Sequence, residues 1–233
     1  MMISIIPAAG QATRLHGLPK FLLPTPNGSF LLETLHNRMR AAGSDRTLIG
    51  ANPDNAELLR QYKPDGATVY TVHSATMSET VLAARKYIND ADVLFGMPDS
   101  FWTDDSVYQR LAADLAAGAM VSVALFWTWP NQHRSLGMCD VGFNDDDELA
   151  IIQVIDKPET TNLHYAWGAM AWRPDFWQFI DPADPHVGYA LQRAIEARAN
   201  VRGYLAIGLY WDCGTPEGYF ACIRGDAPQR VGI

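Results

Sequence analysis

Apolar positions in the first half of the chain alternate between short continuous runs and longer stretches with helical spacing. The continuous runs predict buried strands at residues 3–6, 47–49, 69–72 and 93–95. Apolar positions three or four residues apart predict helices over 29–42, 52–62, 78–88 and 105–117. Ser29 is a candidate N-cap of the first helix, and Gly43 is its candidate stop. This β-α-β-α order predicts a mainly parallel sheet with helices on both faces.

The second half is richer in strands. Strand-like stretches joined by Asn, Asp, Gly and Pro turns cover 119–126, 137–143, 149–154, 165–172 and 201–207. Two further helices are predicted over 186–198 and 216–223. No clear linker interrupts the 233 residues, so we predict one domain over 1–233.

Composition and charge exclude several classes of protein. The net charge is -8 and no Lys/Arg run occurs, which argues against a nucleic-acid partner and requires individually placed cations for any anionic ligand. Three scattered cysteines without a CxxC pair argue against a disulfide framework or a zinc site. The longest apolar run is too short to span a bilayer, and the start lacks a basic signal-peptide region. We expect a soluble, cytoplasmic protein without a membrane partner; the sequence leaves the oligomeric state open, a homo-oligomer included.

The loop after the first strand has the composition of a phosphate-binding loop. The small residues Ala8, Ala9 and Gly10 let backbone N–H groups approach a ligand closely. Arg14 offers a planar fork for phosphate oxygens, and Lys20 adds a compact cation. The segment matches neither GxxxxGK[ST] nor GxGxxG. By itself it fits an ordinary βα turn with solvated cations equally well.

Two motifs at opposite ends of the chain carry a resemblance to a known family. The first resembles the G-x-G-T-R-x-x-x-x-P-K signature of sugar-phosphate nucleotidyltransferases, and its matching residues are Gly10, Thr13, Arg14, Pro19 and Lys20. Within this family, the segment resembles the glucose-1-phosphate thymidylyltransferases and uridylyltransferases. Ala12 stands where the family usually has glycine. Residues 211–217 resemble the C-terminal W-x-D-x-G-T-P-E element almost letter for letter.

Four weaker matches follow in family order between these ends. Asp99 follows an apolar strand, as does the family's Mg²⁺-binding aspartate, although a turn or cap role suits it as well. Gly137 resembles the Gly of the Tyr-Gly-Val-Val segment, and Gly168 resembles the glycine that lines the sugar pocket. Asp156-Lys157-Pro158 resembles the Glu-Lys-Pro element, with an acid one methylene shorter.

The resemblance implies a Rossmann-like three-layer αβα nucleotidyltransferase fold, classed as α/β, with a mixed, mainly parallel central sheet. Residues 1–118 would form the nucleotide-binding half and 119–233 the sugar-phosphate-binding half. The implied activity joins an NTP, with dTTP or UTP expected, to a sugar 1-phosphate and releases pyrophosphate. The implied nucleotide-binding residues are Ala8, Ala9, Gly10, Thr13 and Ser78. Those for the sugar phosphate are Gly137, Asp156, Lys157 and Gly168. Arg14, Lys20 and Lys157 would be catalytic, and Asp99 and Asp212 would hold Mg²⁺.

Other interpretations remain open at this level. The same fold also serves other phosphorylated acceptors, such as phosphocholine or MurNAc 1-phosphate with CTP or UTP. A glycosyltransferase that consumes a nucleotide sugar would not need the cluster of Arg14 and Lys20. Ala12 and Asp156 leave room for a non-catalytic protein that binds nucleotide sugars. His73 lies where the family often has a base-contacting Gln, so the nucleobase is not determined.

Overall fold

A nine-stranded mixed sheet forms the centre of the protein. The computed structural model describes residues 1–11, 13–15, 17–128 and 132–227, without the side chain of Thr13. The strands are β1 (Met2–Pro7), β2 (Arg46–Ala51), β3 (Ala67–Thr71), β4 (Asp92–Gly96), β5 (Ser100–Trp102), β6 (Val121–Trp127), β7 (Gly137–Phe143), β8 (Leu149–Asp156), β9 (Tyr165–Trp172), β10 (Val201–Leu205) and β11 (Tyr210–Asp212). The helices are α1 (Leu31–Ala41), α2 (Ala56–Tyr62), α3 (Met77–Ala84), α4 (Val107–Ala116), α5 (Gly188–Glu196) and α6 (Pro216–Arg224).

The strand order of the large sheet is β3-β2-β1-β4-β9-β6-β10-β8-β7. The first four strands in this order run parallel, whereas β9 lies antiparallel between β4 and β6. β10 is parallel to β6, and β8 is antiparallel to both β10 and β7. The sheet therefore mixes parallel and antiparallel pairs. Since β1 and β4 are parallel neighbours, the loops that leave Pro7 and Gly96 emerge at the same edge.

Helices cover both faces of this sheet, because the strands are apolar on both sides. Ile3 and Ile5 of β1 belong to the apolar cluster that includes residues of α3 and α5. The next residue, Ile6, belongs to the cluster that includes residues of α1, α2 and α4. The alternation of side chains along a strand places these two clusters on opposite faces. No helix in the described part of the chain combines the length and apolar character that a bilayer span requires.

Two predicted helix starts were wrong because local hydrogen bonds hold the chain in turns. Helix α1 begins at Leu31, since the Ser29 carbonyl accepts the Thr25 N–H and Ser29 does not cap the helix. Helix α2 begins at Ala56, since the side-chain oxygen of Asn52 accepts the backbone N–H of Asn55. The predicted stop at Gly43 is confirmed: this residue follows α1 with a φ of +91°.

A small two-stranded ribbon, β5 paired with β11, was not predicted. Its strands have three residues each, which is too short for a periodic pattern to identify. The antiparallel register pairs Ser100 with Asp212, and the Cys213 N–H donates to the Asp99 carbonyl at 2.8 Å. The ribbon thus joins the loop after β4 to the C-terminal motif.

Candidate active site

A cleft of about 580 Å³ opens at the edge where β1 and β4 end. Its walls come from the loop after β1, the loop after β4, the ends of β7 and β8, and the end of β11. The structure brings together in this cleft all five charged side chains on which the predicted chemistry depends: Arg14, Lys20, Asp99, Lys157 and Asp212. These residues are far apart in sequence, so their convergence is a property of the fold.

Three of the charged groups meet beside Gly214. The Lys20 ammonium donates to Asp99 Oδ2 at 2.9 Å. A Cβ placed on Gly214 would lie 2.7 Å from Asp212 Oδ1, 2.7 Å from Asp99 Oδ2 and 3.0 Å from Lys20 Nζ. Only glycine leaves these atoms free to approach one another and a ligand. Sequence reasoning gave Gly214 no role, although its position in the C-terminal motif was a signal.

The two aspartates form a concentrated negative charge. Burial raises the pKa of Asp212, and the neighbouring charge of Asp99 raises this pKa further. The Gly214 N–H, Arg14 and Lys20 oppose the rise without cancelling it. A hard divalent cation would relieve this repulsion. Among the described residues no group of three or more His, Cys, Asp or Glu side chains forms a cation site. Phosphate and water oxygens would therefore complete the coordination of such an ion, as is usual for Mg²⁺.

The backbone of the loop after β1 is fixed by two asparagines that follow β2. Asn55 Nδ2 donates to the Ala8 carbonyl at 2.7 Å, and Asn52 Nδ2 donates to the Ala9 carbonyl at 2.8 Å. These carbonyls are therefore held in place before any ligand binds. A preorganised loop of this kind avoids part of the entropy cost of binding. Neither asparagine was predicted to matter.

The rest of the first motif lies at the mouth of the cleft. Gly10 lines the cleft, and a Cβ placed on it would meet no heavy atom within 4 Å. Arg14 is exposed and also lines the cleft. The backbone of Thr13 lies in a short 3-10 turn over residues 13–15. Ala12 lies outside the described residues, so the effect of its departure from the family pattern stays a prediction.

The opposite end of the cleft is built from β7, β8 and the start of α5. Gly137 pairs with Asp156 across β7 and β8. Asp156 Oδ1 lies 3.0 Å from His186 Nε2, and its Oδ2 accepts the Tyr189 hydroxyl at 3.0 Å. Lys157 has a φ of +46°, a strained value for a residue other than glycine, and it is half-exposed at the cleft. Such strain is typical of functional positions.

His186 is a neutral hydrogen-bonding partner of Asp156. Burial lowers the pKa of His186, and the opposing effect of the Asp156 carboxylate is smaller. The neutral ring fits its contacts when Nε2–H donates to Asp156 and Nδ1 accepts the Gly188 N–H at 3.2 Å. His186 and Tyr189 were missed because they belong to a predicted helix without a motif.

Arg134 is a further cation in the cleft that the sequence did not single out. It lines both this cleft and a neighbouring cavity of about 370 Å³. Its Nε–H makes a long hydrogen bond, 3.4 Å, to the Glu159 carbonyl. The pairing of β7 with β8 brings the end of the 133–135 turn beside Lys157, whose N–H donates to the Leu136 carbonyl. Within the described part of the chain, the cleft therefore contains four cationic side chains: Arg14, Lys20, Arg134 and Lys157.

Two residues predicted to contact ligand do not line this cleft. Ser78 is fully buried in α3 and does not line the cleft, whereas its neighbour Met77 does. Gly168 lies at an irregularity in the pairing of β6 with β9. A Cβ there would lie 2.6 Å from Trp102 Cζ2 and 3.0 Å from Tyr210 Cε2. The absence of a side chain at Gly168 therefore leaves room for these aromatic rings.

We expect Gly214→Ala to lower turnover by about 10- to 100-fold, because the added methyl group displaces both aspartates and Lys20. Steady-state rates of the proposed reaction, described below, measure the effect. Gly142→Ala is the matched control, because its methyl group meets only the flexible, exposed end of Ile152. Equal rates in the two variants would contradict this prediction.

The fold and the charges of the cleft define a class of enzyme that transfers nucleotides from NTPs. The chain matches the family profile "MobA-like NTP transferase domain" over residues 4–199, which is most of its length. It therefore belongs to the MobA-like NTP transferase domain family, and the predicted membership of the nucleotidyltransferases is confirmed. The matched segment ends before β11, so Asp212 and Gly214 lie outside it.

Solved structures of similar fold have low sequence identity to the chain. A UDP-glucose pyrophosphorylase in complex with UDP-glucose is 16% identical, with a TM-score of 0.82, and 97% of this chain aligns with 98% of that one. The UTP-bound UGPase from Acinetobacter baumannii is 17% identical, with a TM-score of 0.77 and coverages of 97% and 93%. A Bacillus anthracis protein assigned as a glucose-1-phosphate thymidylyltransferase is 15% identical, with a TM-score of 0.79 and coverages of 100% and 98%. A sequence search of curated proteins finds no match.

Proposed function

We propose that this protein makes an NDP-sugar and pyrophosphate from an NTP, dTTP or UTP, and a sugar 1-phosphate, on a three-layer Rossmann-like framework. The observation that carries the proposal is the convergence of Lys20, Asp99 and Asp212 beside Gly214, in one cleft with Arg14 and Lys157. A glycosyltransferase would need an acidic pair, but it would not need cations for a triphosphate and for a second phosphate. The fold shared with UDP-glucose pyrophosphorylase supports the same class of reaction.

The proposed reaction is an in-line displacement at the α-phosphorus of the NTP. A phosphate oxygen of the sugar 1-phosphate forms a bond to this phosphorus, the bond between Pα and the bridging oxygen to Pβ breaks, and pyrophosphate leaves with that electron pair. The nucleophile is already an anion, so no general base is needed. The obstacle is the repulsion between two anions, so catalysis comes from positioning and charge stabilisation.

The charged residues divide this work between the two substrates. Arg14 and Lys20 hold the triphosphate and the departing pyrophosphate, and Lys157 holds the phosphate of the sugar. The loop backbone at Ala8, Ala9 and Gly10 faces the nucleotide. Asp99 and Asp212 would hold Mg²⁺, which when bound neutralises and orients phosphate oxygens. The acidity of the protein as a whole makes these local cations necessary.

The test is a matrix of purified protein, NTPs and phosphorylated acceptors with Mg²⁺ present, in which released pyrophosphate is measured. We expect release with UTP or dTTP together with a hexose 1-phosphate such as glucose 1-phosphate. Release only from CTP with phosphocholine, or only from UTP with MurNAc 1-phosphate, would reassign the acceptor and keep the chemistry. Calorimetric binding of a nucleotide sugar with no release from any pair would instead support a non-catalytic binding protein.

We expect Arg134→Ala to raise the KM for the acceptor about tenfold and to leave the KM for the NTP unchanged. Arg134 lies beside Lys157 at the acceptor end of the cleft, where its guanidinium adds a charge-assisted contact. Initial rates with each substrate varied in turn measure the two constants. Arg60→Ala, an exposed arginine of α2 outside the cleft, is the control. A change in the KM for the NTP alone would place Arg134 at the other substrate.

A further inference from the structure

The side chain of Trp167, in β9, packs between Gly137 and Gly188. A Cβ placed on Gly137 would lie 2.1 Å from Trp167 Nε1, and one placed on Gly188 would lie 2.8 Å from Trp167 Cζ2. Both distances are below 3.0 Å, the shortest contact that real Cβ atoms make. The indole is 6% exposed. Packing against both glycines limits movement of the ring on those sides, so a ligand in the cleft meets the indole as part of the wall.

The same indole lines the acceptor end of the cleft. It lies in the wall with Asp156, Lys157 and His186, and its ring centroid is 5.7 Å from that of His186. These are the residues that surround the proposed sugar phosphate. A side chain as large and as fixed as this one restricts the shape of whatever binds there.

The Trp167 indole N–H is a buried donor that has no hydrogen-bond partner among the described residues. Leaving a buried donor unpaired destabilises the folded protein. Trp102 and Trp172 also have unpaired indole N–H groups, but neither ring lines the cleft. Of these three tryptophans, Trp167 is the one whose ring a ligand in the cleft can contact.

We infer that Trp167 determines which acceptor the enzyme uses; this inference rests on the proposed function. The fixed indole excludes bulky substituents from the acceptor end, so unsubstituted hexose 1-phosphates fit and N-acetylhexosamine 1-phosphates do not. The indole contacts the sugar as part of the cleft wall, while its N–H lies against Gly137. Gly137 and Gly188 are required because the ring occupies the space of their side chains.

The first test compares kcat/KM for glucose 1-phosphate and N-acetylglucosamine 1-phosphate, each with the better NTP. Wild type favours the unsubstituted sugar by at least about tenfold, and Trp167→Phe narrows this ratio by at least about tenfold. Trp177→Phe, a buried tryptophan outside the cleft, keeps the wild-type ratio. A wild type that uses both sugars equally, or a folded Trp167→Phe with an unchanged ratio, overturns the inference. Equal use of the two sugars by the wild type overturns the inference even if the variant does not fold.

The second test follows the indole N–H directly by ¹⁵N–¹H NMR. The protein has seven tryptophans, and the resonance of Trp167 is the one missing from Trp167→Phe or, if that variant does not fold, from Trp167→Tyr. The inference requires this resonance to shift when the acceptor with the highest turnover is added. A resonance that stays fixed at saturation overturns it. If no sugar phosphate yields pyrophosphate, both the proposed function and this inference are wrong. If the enzyme turns over but the Trp167 resonance does not shift and Trp167→Phe leaves the ratio of the two kcat/KM values unchanged, only the inference is refuted.

Discussion

Asp212→Asn is expected to lower turnover by about 10³-fold or more without destabilising the protein. The asparagine amide has no charge, so one of the two charges that would hold Mg²⁺ is lost. In the wild type, Asp212 Oδ1 accepts the Gly214 N–H at 2.8 Å, and the amide oxygen can accept the same hydrogen bond. Burial and Asp99 raise the pKa of Asp212, so loss of its charge relieves repulsion in the folded state. We therefore expect an unchanged or higher midpoint of thermal unfolding.

Pyrophosphate release and a thermal melt, both measured over a series of Mg²⁺ concentrations, test this combination. Asp114→Asn is the matched control, because Asp114 is a half-buried, hydrogen-bonded carboxylate outside the cleft, where it accepts the Ser122 hydroxyl. Full activity in Asp212→Asn would remove this residue from the proposed mechanism. A large loss of stability together with activity would show that its role is structural.

Lys20→Met is the complementary case, in which activity and stability fall together. The substitution removes the cation from Asp99, whose Oδ2 lies 2.9 Å from Lys20 Nζ. We expect about a 10²- to 10³-fold loss of turnover, because the triphosphate and the leaving pyrophosphate lose a point charge. Without Lys20, the pKa of Asp212 rises further, since the ammonium normally lowers it. The folded state then contains two close carboxylates that only the Gly214 N–H and Arg14 offset, and it is less stable.

Single-turnover rates and thermal melts of Lys20→Met, with exposed Lys86→Met as the control, measure both effects. The ion pair of Lys20 and Asp99 is partly buried. We therefore expect its loss to lower the stability of the protein by more than the loss of an ordinary surface ion pair does. Opposite stability changes in Asp212→Asn and Lys20→Met are the specific signature of a charge cluster around Gly214. Stability changes of the same sign in both variants would contradict that interpretation.

Much of the site was predictable because a parallel sheet gathers the ends of its strands at one edge. The apolar runs of β1 and β4 were sufficient to predict strands, and their parallel pairing brings the loops that contain Arg14 and Asp99 together. The motif around Asp212 was recognisable by its letters. The proximity of this motif to Asp99 could not be predicted. It depends on the ribbon of β5 and β11, whose three-residue strands are too short to show a periodic pattern.

The missed and misplaced residues depend on contacts that no local pattern encodes. Gly168 was assigned to the sugar pocket, but the position of Trp102, from a distant strand, requires a glycine there. His186 and Tyr189 reach Asp156 only because α5 packs against β8. Met77 and Ser78 are neighbours in α3, but their side chains leave the helix in different directions. The side chain of Ser78 points into the protein interior. Sequence thus predicted the elements better than the side chains facing the ligand.

The ribbon of β5 and β11 also makes the order of synthesis matter to this enzyme. Asp99 leaves the ribosome early, and its partner Asp212 follows 113 positions later, after every strand of the large sheet. Until β11 pairs with β5, the nascent chain has its nucleotide loop but only one of the two carboxylates. If the two carboxylates act together as proposed, catalysis requires β11, the last strand of the described chain to be synthesised.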